Sequence, residues 1–116
     1  MAVNRWNLIF YTTAAGRSPV AEYLDELPAR EAARVTQELR LLAEFGLGLG
    51  EPHVRNVGDK LWELRVRGKV QHRVLYFAAA EQRLVLLHAF TKKTRRTPSG
   101  ELELARRRMA DYLERT

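Results

Sequence analysis

The spacing of apolar residues changes from helical to strand-like near the middle of the chain. Residues 6–11 form a short run rich in aromatic and branched side chains, which predicts a strand. Apolar residues then recur three and four positions apart, first over 19–27 and then over about 28–45. Pro28 separates these two segments. The first half therefore predicts a strand and two abutting helices, with a glycine-rich turn after the second helix.

The second half predicts three strands and a helix. Residues 60–67 alternate apolar with polar side chains, and residues 70–77 continue as a partner strand after a two-residue turn, which predicts a hairpin. The nearly continuous apolar run 84–90 is typical of a central strand that is covered on both faces. From Pro98 onward the apolar residues return to helical spacing, and Thr97 is placed to cap this helix.

The element order predicted in this way, βααβββα, indicates the α+β class. We expect a single domain over residues 1–116, because a chain of 116 residues leaves no room for a second core. Its small, mostly antiparallel sheet is expected to carry an N-terminal helical hairpin and a C-terminal helix. The chain lacks the ~18-residue apolar run of a membrane span and begins without a signal-peptide pattern. We therefore expect a cytoplasmic protein without a membrane partner.

Positive charge is concentrated in one segment. The chain holds 20 basic and 14 acidic residues, and residues 53–98 account for 11 of the basic and 3 of the acidic ones. That segment carries a net charge of +8, against −2 before it and 0 after it. Such clustering is typical of nucleic-acid binding, although a solvated surface gives the same pattern. Charge alone leaves both interpretations open.

Several classes of chemistry lack the residues they need. The absence of cysteine excludes disulfides and thiolate catalysis, and the three histidines lie too far apart in sequence for a local metal motif. The basic segment holds only Asp59, Glu63 and Glu81 as acidic residues, which is too few for the carboxylate cluster of a two-metal nuclease. The sequence therefore predicts chemistry without a metal or a cofactor.

The cations of the basic segment suit metal-independent RNA cleavage. In that reaction the 2′-hydroxyl attacks the adjacent phosphate, which requires a base, an acid and cations that stabilise the phosphorane. Arginine supplies charge but carries protons poorly, whereas a lysine crowded by other cations is pushed toward its neutral form. His88 and Tyr76 are further candidates for proton transfer.

Each candidate also has a purely structural interpretation. Arg65 could be the outward residue of a half-buried strand, paired with Glu63. His88 and Tyr76 lie among apolar residues, where a core role is more common. Arg73 differs, because it alternates with apolar residues on one strand face, where a charged group needs a partner or a task.

Three motifs resemble the phage Gp49-like branch of the RelE/ParE toxin superfamily, which includes HigB-type toxins. They are Leu61-Trp-Glu-Leu-Arg65, His72-Arg-Val-Leu-Tyr76 and Leu87-His-Ala-Phe-Thr-Lys-Lys93, followed by Thr97-Pro98, Glu101 and Ala105. The resemblance covers almost the whole chain. It implies a RelE-like fold, which agrees with the predicted order.

The resemblance also implies a function: a type II toxin that enters the ribosomal A site, cleaves mRNA there and is silenced by an antitoxin, commonly a helix-turn-helix protein. By position, Arg65 and Arg73 match phosphate-binding residues of such toxins, and Lys92 and Lys93 match the basic site after the last strand. These four are the candidate catalytic residues; the candidate RNA-binding residues are Arg67, Lys69, Arg95 and Arg96. RelE itself carries a catalytic tyrosine near its C-terminus. This chain lacks that tyrosine, and HigB-like members also lack it.

Two other functions remain open at the level of sequence. A ParE-like protein of this fold would inhibit DNA gyrase without cutting RNA, and a binding module would hold nucleic acid without any reaction. Three observations would distinguish these functions. Cleavage of RNA in a translating extract indicates the endoribonuclease, and blocked supercoiling with intact mRNA indicates the gyrase inhibitor. Salt-sensitive binding without either effect indicates the binding module.

Overall fold

The structure is a computed structural model that describes residues 6–93 and 95–116, and within them the chain forms an α+β fold. Its elements are β1 (Asn7–Phe10), α1 (Pro19–Glu26), α2 (Ala29–Phe45), a 3₁₀ turn (Gly46–Gly48), β2 (Val54–Gly58), β3 (Leu61–Val66), β4 (Gln71–Ala79), β5 (Arg83–Lys92) and α3 (Ser99–Arg115). The predicted helices and the predicted hairpin are confirmed. The expectation of a missing signal peptide concerns residues 1–5, which lie outside the described residues.

The strands form one five-stranded sheet in the order β1-β5-β4-β3-β2. Three neighbouring pairs are antiparallel, while β1 runs parallel to β5, so the sheet is mixed. The predicted order βααβββα is wrong by one strand, because β2 precedes the hairpin. Only Val54 of β2 is buried, and a register shift between Asn56 and Gly58 interrupts its pairing. The segment therefore carries too short an alternation to predict a strand.

Helices cover both faces of the sheet. One apolar cluster joins α1 and α2 to the first face through Val20, Val35 and Leu42. A second cluster packs α3 against the other face around Ala105. Strand β5 contacts both α1 and α3, which confirms the prediction of a central strand covered on both sides. In this way the ends of β3, β4 and β5 are held rigidly beside one another.

The helix starts differ in detail from the prediction. Pro19 opens α1 as predicted, but the hydroxyl of Ser18 makes no capping hydrogen bond. Thr97 does not cap α3, since Pro98 occupies the N-cap position and the Thr97 hydroxyl donates to Glu63 instead. None of the helices in the described part of the chain is long and apolar enough to cross a membrane.

Candidate functional site

Two arginines face each other across the β3–β4 hairpin. The register pairs Arg65 with Arg73, so both side chains lie on the sheet face that also carries α3. Like charges directly opposite on neighbouring strands destabilise a sheet unless an anion compensates them. Glu63, two residues before Arg65 and on the same face, is that anion, and it is only 1% exposed.

Glu63 is bound from three sides. Its Oε1 lies 3.3 Å from Nε of Arg73 and 3.8 Å from Nε of Arg65. Its other oxygen, Oε2, accepts a hydrogen bond from the hydroxyl of Thr97. A carboxylate buried this deeply is tolerated because several partners compensate its lost hydration. Glu63 therefore ties the arginine pair to the loop that leads into α3.

Arg73 is held in place with part of its hydrogen-bonding capacity unused. It is 5% exposed, and its terminal nitrogens donate to the His72 carbonyl at 3.3 Å and to Gln71 Oε1 at 3.2 Å. The buried Nε atoms of Arg65 and Arg73 approach Glu63 at ion-pair distance without hydrogen-bond alignment, and neither has a hydrogen-bond partner. Buried donors left in this way are uncommon and point to a role for the group.

The charge on Arg73 persists despite its burial. Burial lowers the pKa of Arg73, the charge of Glu63 opposes this shift, and the neighbouring cations Arg65 and Arg67 add to it. An arginine nevertheless stays protonated under ordinary conditions. The pair is thus a fixed positive centre with Glu63 as its buried counterion, while Oε1 of the exposed Glu51 lies 4.0 Å from Nη1 of Arg65.

The arginine pair opens onto a cationic cleft with a volume of about 740 Å³. Seven of its ten lining residues are Lys or Arg, and none is acidic. The cleft gathers the four candidate catalytic residues and three of the four candidate RNA-binding residues: Arg65, Arg73, Lys92, Lys93, Arg67, Lys69 and Arg95. Arg96 instead lines a smaller neighbouring cleft.

The two lysines of the cleft differ in environment. Burial lowers the pKa of Lys92, and the charges of Arg73, Arg65 and Arg55 lower it further against the opposing charge of Glu63. Its ammonium donates to the Arg95 carbonyl at 2.6 Å, which fixes both groups. Lys93 is exposed. Of the two, Lys92 is therefore the better candidate for proton exchange.

Arg55 belongs to the same face, although sequence reasoning did not select it. Strand β2 pairs Arg55 with Glu63, so this exposed arginine lies on the face that carries the arginine pair. Its effect on Lys92 also places it near the cleft. No sequence signal pointed to Arg55, because the strand that carries it was not predicted.

His88 lies outside the cleft, between β5 and α3. Its Nε2 is 2.7 Å from Glu101 Oε1, and its Nδ1 is 3.2 Å from Nη1 of Arg108. Since arginine only donates, Nδ1 accepts from Arg108 and Nε2 donates to the carboxylate. Both ring nitrogens are thereby occupied, and the ring stacks on Phe90. In this position His88 ties α3 to the sheet.

Tyr76 also lies outside the cleft. It is 2% exposed and belongs to the apolar cluster beneath α1 and α2, where it faces Trp62 across the hairpin. Burial raises the pKa of Tyr76 far above its usual value. Its side chain packs in this apolar cluster and does not line the cleft, so the core interpretation of Tyr76 fits its position.

A second histidine, which sequence reasoning did not single out, lies under the cleft on the helical-hairpin side. His72 is 1% exposed, with Nε2 2.8 Å from Glu31 Oε1 and Nδ1 2.5 Å from the Tyr23 hydroxyl. That hydroxyl also lies 2.9 Å from Oγ1 of Thr91, a residue of the cleft wall. This buried network links α1 and α2 to the strand end that carries Lys92.

Comparison with protein families gives one match to the chain. The model described as "Phage derived protein Gp49-like (DUF891)" matches residues 22–110, which are 89 of the 116 residues. The match includes both strands of the arginine pair and every residue that lines the cationic cleft. No curated protein is similar enough to count as a match.

Proposed function

The chain belongs to the phage-derived Gp49-like family, which falls within the toxins of toxin–antitoxin systems, and from this premise we propose that it cleaves mRNA on the ribosome. It would be a metal-independent endoribonuclease of the RelE/ParE superfamily, close to HigB-type toxins. One observation carries the proposal: Arg65 and Arg73 are held side by side over Glu63 at the wall of a cleft lined by seven cations.

The cleft suits the cleavage of an RNA strand by its own 2′-hydroxyl. The 2′-oxygen bonds to phosphorus and its proton leaves to a base, while the bond to the 5′-oxygen breaks and that oxygen gains a proton. The products are a 2′,3′-cyclic phosphate and a 5′-hydroxyl. Arg73 and Arg65 stabilise the phosphorane charge, since their guanidinium groups are fixed before the substrate arrives.

Lys92 is the residue that we assign to proton transfer. Because its pKa is lowered, Lys92 loses its proton at a lower pH than an ordinary lysine. The contact with the Arg95 carbonyl holds the Lys92 amine beside the arginine pair. Lys93, Arg67, Lys69 and Arg95 surround this centre and would bind neighbouring phosphates. Among residues 6–93 and 95–116, no three His, Asp or Glu side chains lie together as metal ligands.

The proposed partners follow from the same reaction. The ribosome would hold the mRNA so that the 2′-hydroxyl lies in line with its phosphate, which the cations alone cannot do. A cognate antitoxin, of the helix-turn-helix kind common in this branch, would keep the protein silent in the cytoplasm by covering the cleft or by preventing entry to the ribosome.

Induced expression tests the proposal directly. We expect the chain alone to arrest growth, co-expression of the antitoxin gene beside it to relieve the arrest, and mRNA cut within codons to accumulate. A matched control is Arg40→Ala, an exposed arginine of α2 far along the sheet from the cleft, which should remain toxic. Unimpeded growth with soluble, folded protein would refute the toxin role, and arrest with intact mRNA but blocked supercoiling would assign the fold to gyrase inhibition instead.

A further inference from the structure

A smaller cleft lies directly beside the cationic one. It has a volume of about 280 Å³ and lies between β2, the loop after β5 and the start of α3. Arg95 lines both clefts, so the two form one continuous surface. A volume near the lower end of ligand pockets, ~300 Å³, suits one planar group rather than a larger ligand.

The smaller cleft combines an apolar floor with a cationic rim. Val57 and Leu102 line it and pack against the apolar cluster beneath α3, so they present fixed apolar surface. Arg55 and Arg95 also line it, and both are exposed. A nucleobase fits this combination, because its π-face packs on aliphatic carbon and stacks beneath a guanidinium plane.

The uncharged polar side chains of this cleft are used within the protein. Both amide hydrogens of Asn56 donate, one to the Asp59 carbonyl and one to the Leu61 carbonyl, and its Oδ1 accepts from the amide of Gly58. The Thr97 hydroxyl donates to Glu63. Neither side chain has a donor left with which to read the edge of a base. Recognition here would depend on stacking and charge.

We propose that this cleft binds the base of the nucleotide next to the scissile phosphate and accepts any base, with Arg55 stacking on it. The inference rests on the proposed function, because it requires an RNA strand in the cationic cleft. It adds a binding site on β2, the strand that the sequence pattern missed. Purines should bind more tightly than pyrimidines, since larger rings stack more strongly, but guanine and adenine should be nearly equal.

Binding of short RNA to the full chain tests the site. The probe is a fluorescent RNA pentamer with 2′-deoxy sugar at its central position, so that cleavage there is blocked. Three versions are compared: the intact pentamer, one with an abasic nucleotide at the central position and one with it immediately after, because these two nucleotides flank the protected phosphate. We expect one abasic version to bind about tenfold more weakly than the intact RNA, the scale of a single lost stacking contact.

Variants separate this site from the main cleft. Arg55→Ala should weaken binding of the intact pentamer about tenfold and remove the penalty of the abasic nucleotide, because no stacking partner remains. Arg55→Lys keeps the charge but not the planar group, and should show the same loss of base dependence. Arg40→Ala, which removes one positive charge near the opposite sheet edge, should bind like the unmodified chain and keep the penalty.

The outcomes distinguish this site from the proposed function. If the unmodified chain binds RNA but neither abasic version binds more weakly, or if Arg55→Ala keeps the abasic penalty, the nucleotide site is wrong and the RNA function stands. If the unmodified chain binds no pentamer even at low salt, the nucleotide site is also wrong, and the proposed function is decided separately by whether the chain cleaves ribosome-bound mRNA.

Discussion

Arg73 combines burial, fixed geometry and unused donor capacity in a single side chain. Its terminal nitrogens are held by Gln71 and by the His72 carbonyl, while its Nε keeps no hydrogen-bond partner. A group fixed in this way contributes most where charge develops, because it does not have to reorganise during the reaction. We expect Arg73→Ala to lower the single-turnover rate of mRNA cleavage on the ribosome by about 10²-fold or more.

Arg67→Ala is the matched control for Arg73, because Arg67 lines the same cleft but is exposed. It should lower binding, with a loss of less than about tenfold in the single-turnover rate, as expected of one phosphate contact at the surface. Thermal melting and circular dichroism must accompany both variants. Were Arg73→Ala to melt normally and cleave normally, the assignment of Arg73 to the reaction would be wrong.

In the proposed reaction Glu63 would act through its neighbours, as a positioning residue. Its carboxylate favours the protonated form of Lys92, against burial and the surrounding cations on β2, β3 and β4. Glu63→Gln removes that charge, so the pKa of Lys92 should fall further. The limb of the pH–rate profile that reports Lys92 should therefore shift to lower pH, whether Lys92 serves as base or as acid.

A change of pH profile distinguishes this role from a merely structural one. Thr97→Val removes the other contact of the carboxylate and keeps its charge, so it should leave the pH limb in place. Glu63→Gln will also lower the melting temperature, since it leaves two arginines without their buried counterion. An unshifted limb in folded Glu63→Gln would show that Lys92 is not the titrating group.

At the residue level, the sequence was most informative where a side chain contradicted its own strand pattern. Arg73 alternates with the apolar side chains of Leu75 and Phe77, and that conflict alone marked it for a task. The pairing of Glu63 with Arg65 was foreseen as a structural alternative, but its approach to Arg73 depends on the register of β3 against β4. Register of this kind is set by three-dimensional packing and is only weakly written in a local pattern.

At the scale of elements, the strong apolar periods predicted α1, α2, α3 and the β3–β4 hairpin. Strand β2 was not predicted, because it has only one buried residue and a register shift, and so shows no alternation of apolar and polar residues. This omission also hid Arg55, since a residue can be placed on a sheet face only when its strand is known. Arg55 was therefore missed because its strand, β2, was not predicted.

The junction between β5 and α3 gives a prediction at this same scale. His88 donates to Glu101 and accepts from Arg108, so it joins two charged groups of α3 to the sheet. His88→Ala should lower the free energy of unfolding by about 1–3 kcal/mol, because it removes the partner of the partly buried Glu101 and leaves Arg108 with the Leu87 carbonyl alone. Cleavage per folded molecule should fall less than tenfold when measured well below the melting temperature.

His53→Ala is the control for His88. Its Nδ1 lies 3.2 Å from Glu38, but the side chain is 40% exposed. Loss of such a surface contact should change the free energy of unfolding by less than about 0.5 kcal/mol. If His88→Ala instead melts like the unmodified chain and abolishes cleavage, His88 belongs to the chemistry after all.

At the scale of the whole molecule, charge is sorted onto one surface. The segment with net charge +8 contributes all of the cations that line the cationic cleft. Binding of RNA should therefore weaken steeply as salt rises, because each phosphate contact releases counterions. In the proposed function this field would attract and hold RNA, but it would not bring a 2′-hydroxyl into line with its phosphate.

The cleft therefore predicts dependence on the ribosome. Among the described residues, the lining of the cleft holds no carboxylate and no histidine, and Lys92, whose pKa burial lowers, is the candidate for proton transfer. Alignment of the reacting atoms must then contribute much of the lowered barrier, and alignment can be worth several powers of ten in rate.

We expect purified protein to cut ribosome-bound mRNA at least about 10³-fold faster than the same RNA free in solution, measured at equal salt with RNA saturating in both cases. Saturation removes differences in affinity, so that the comparison isolates the reaction step. Equal rates on free and ribosome-bound RNA would show that the chain aligns its substrate by itself, and would contradict the view that the cleft supplies only charge and proton transfer.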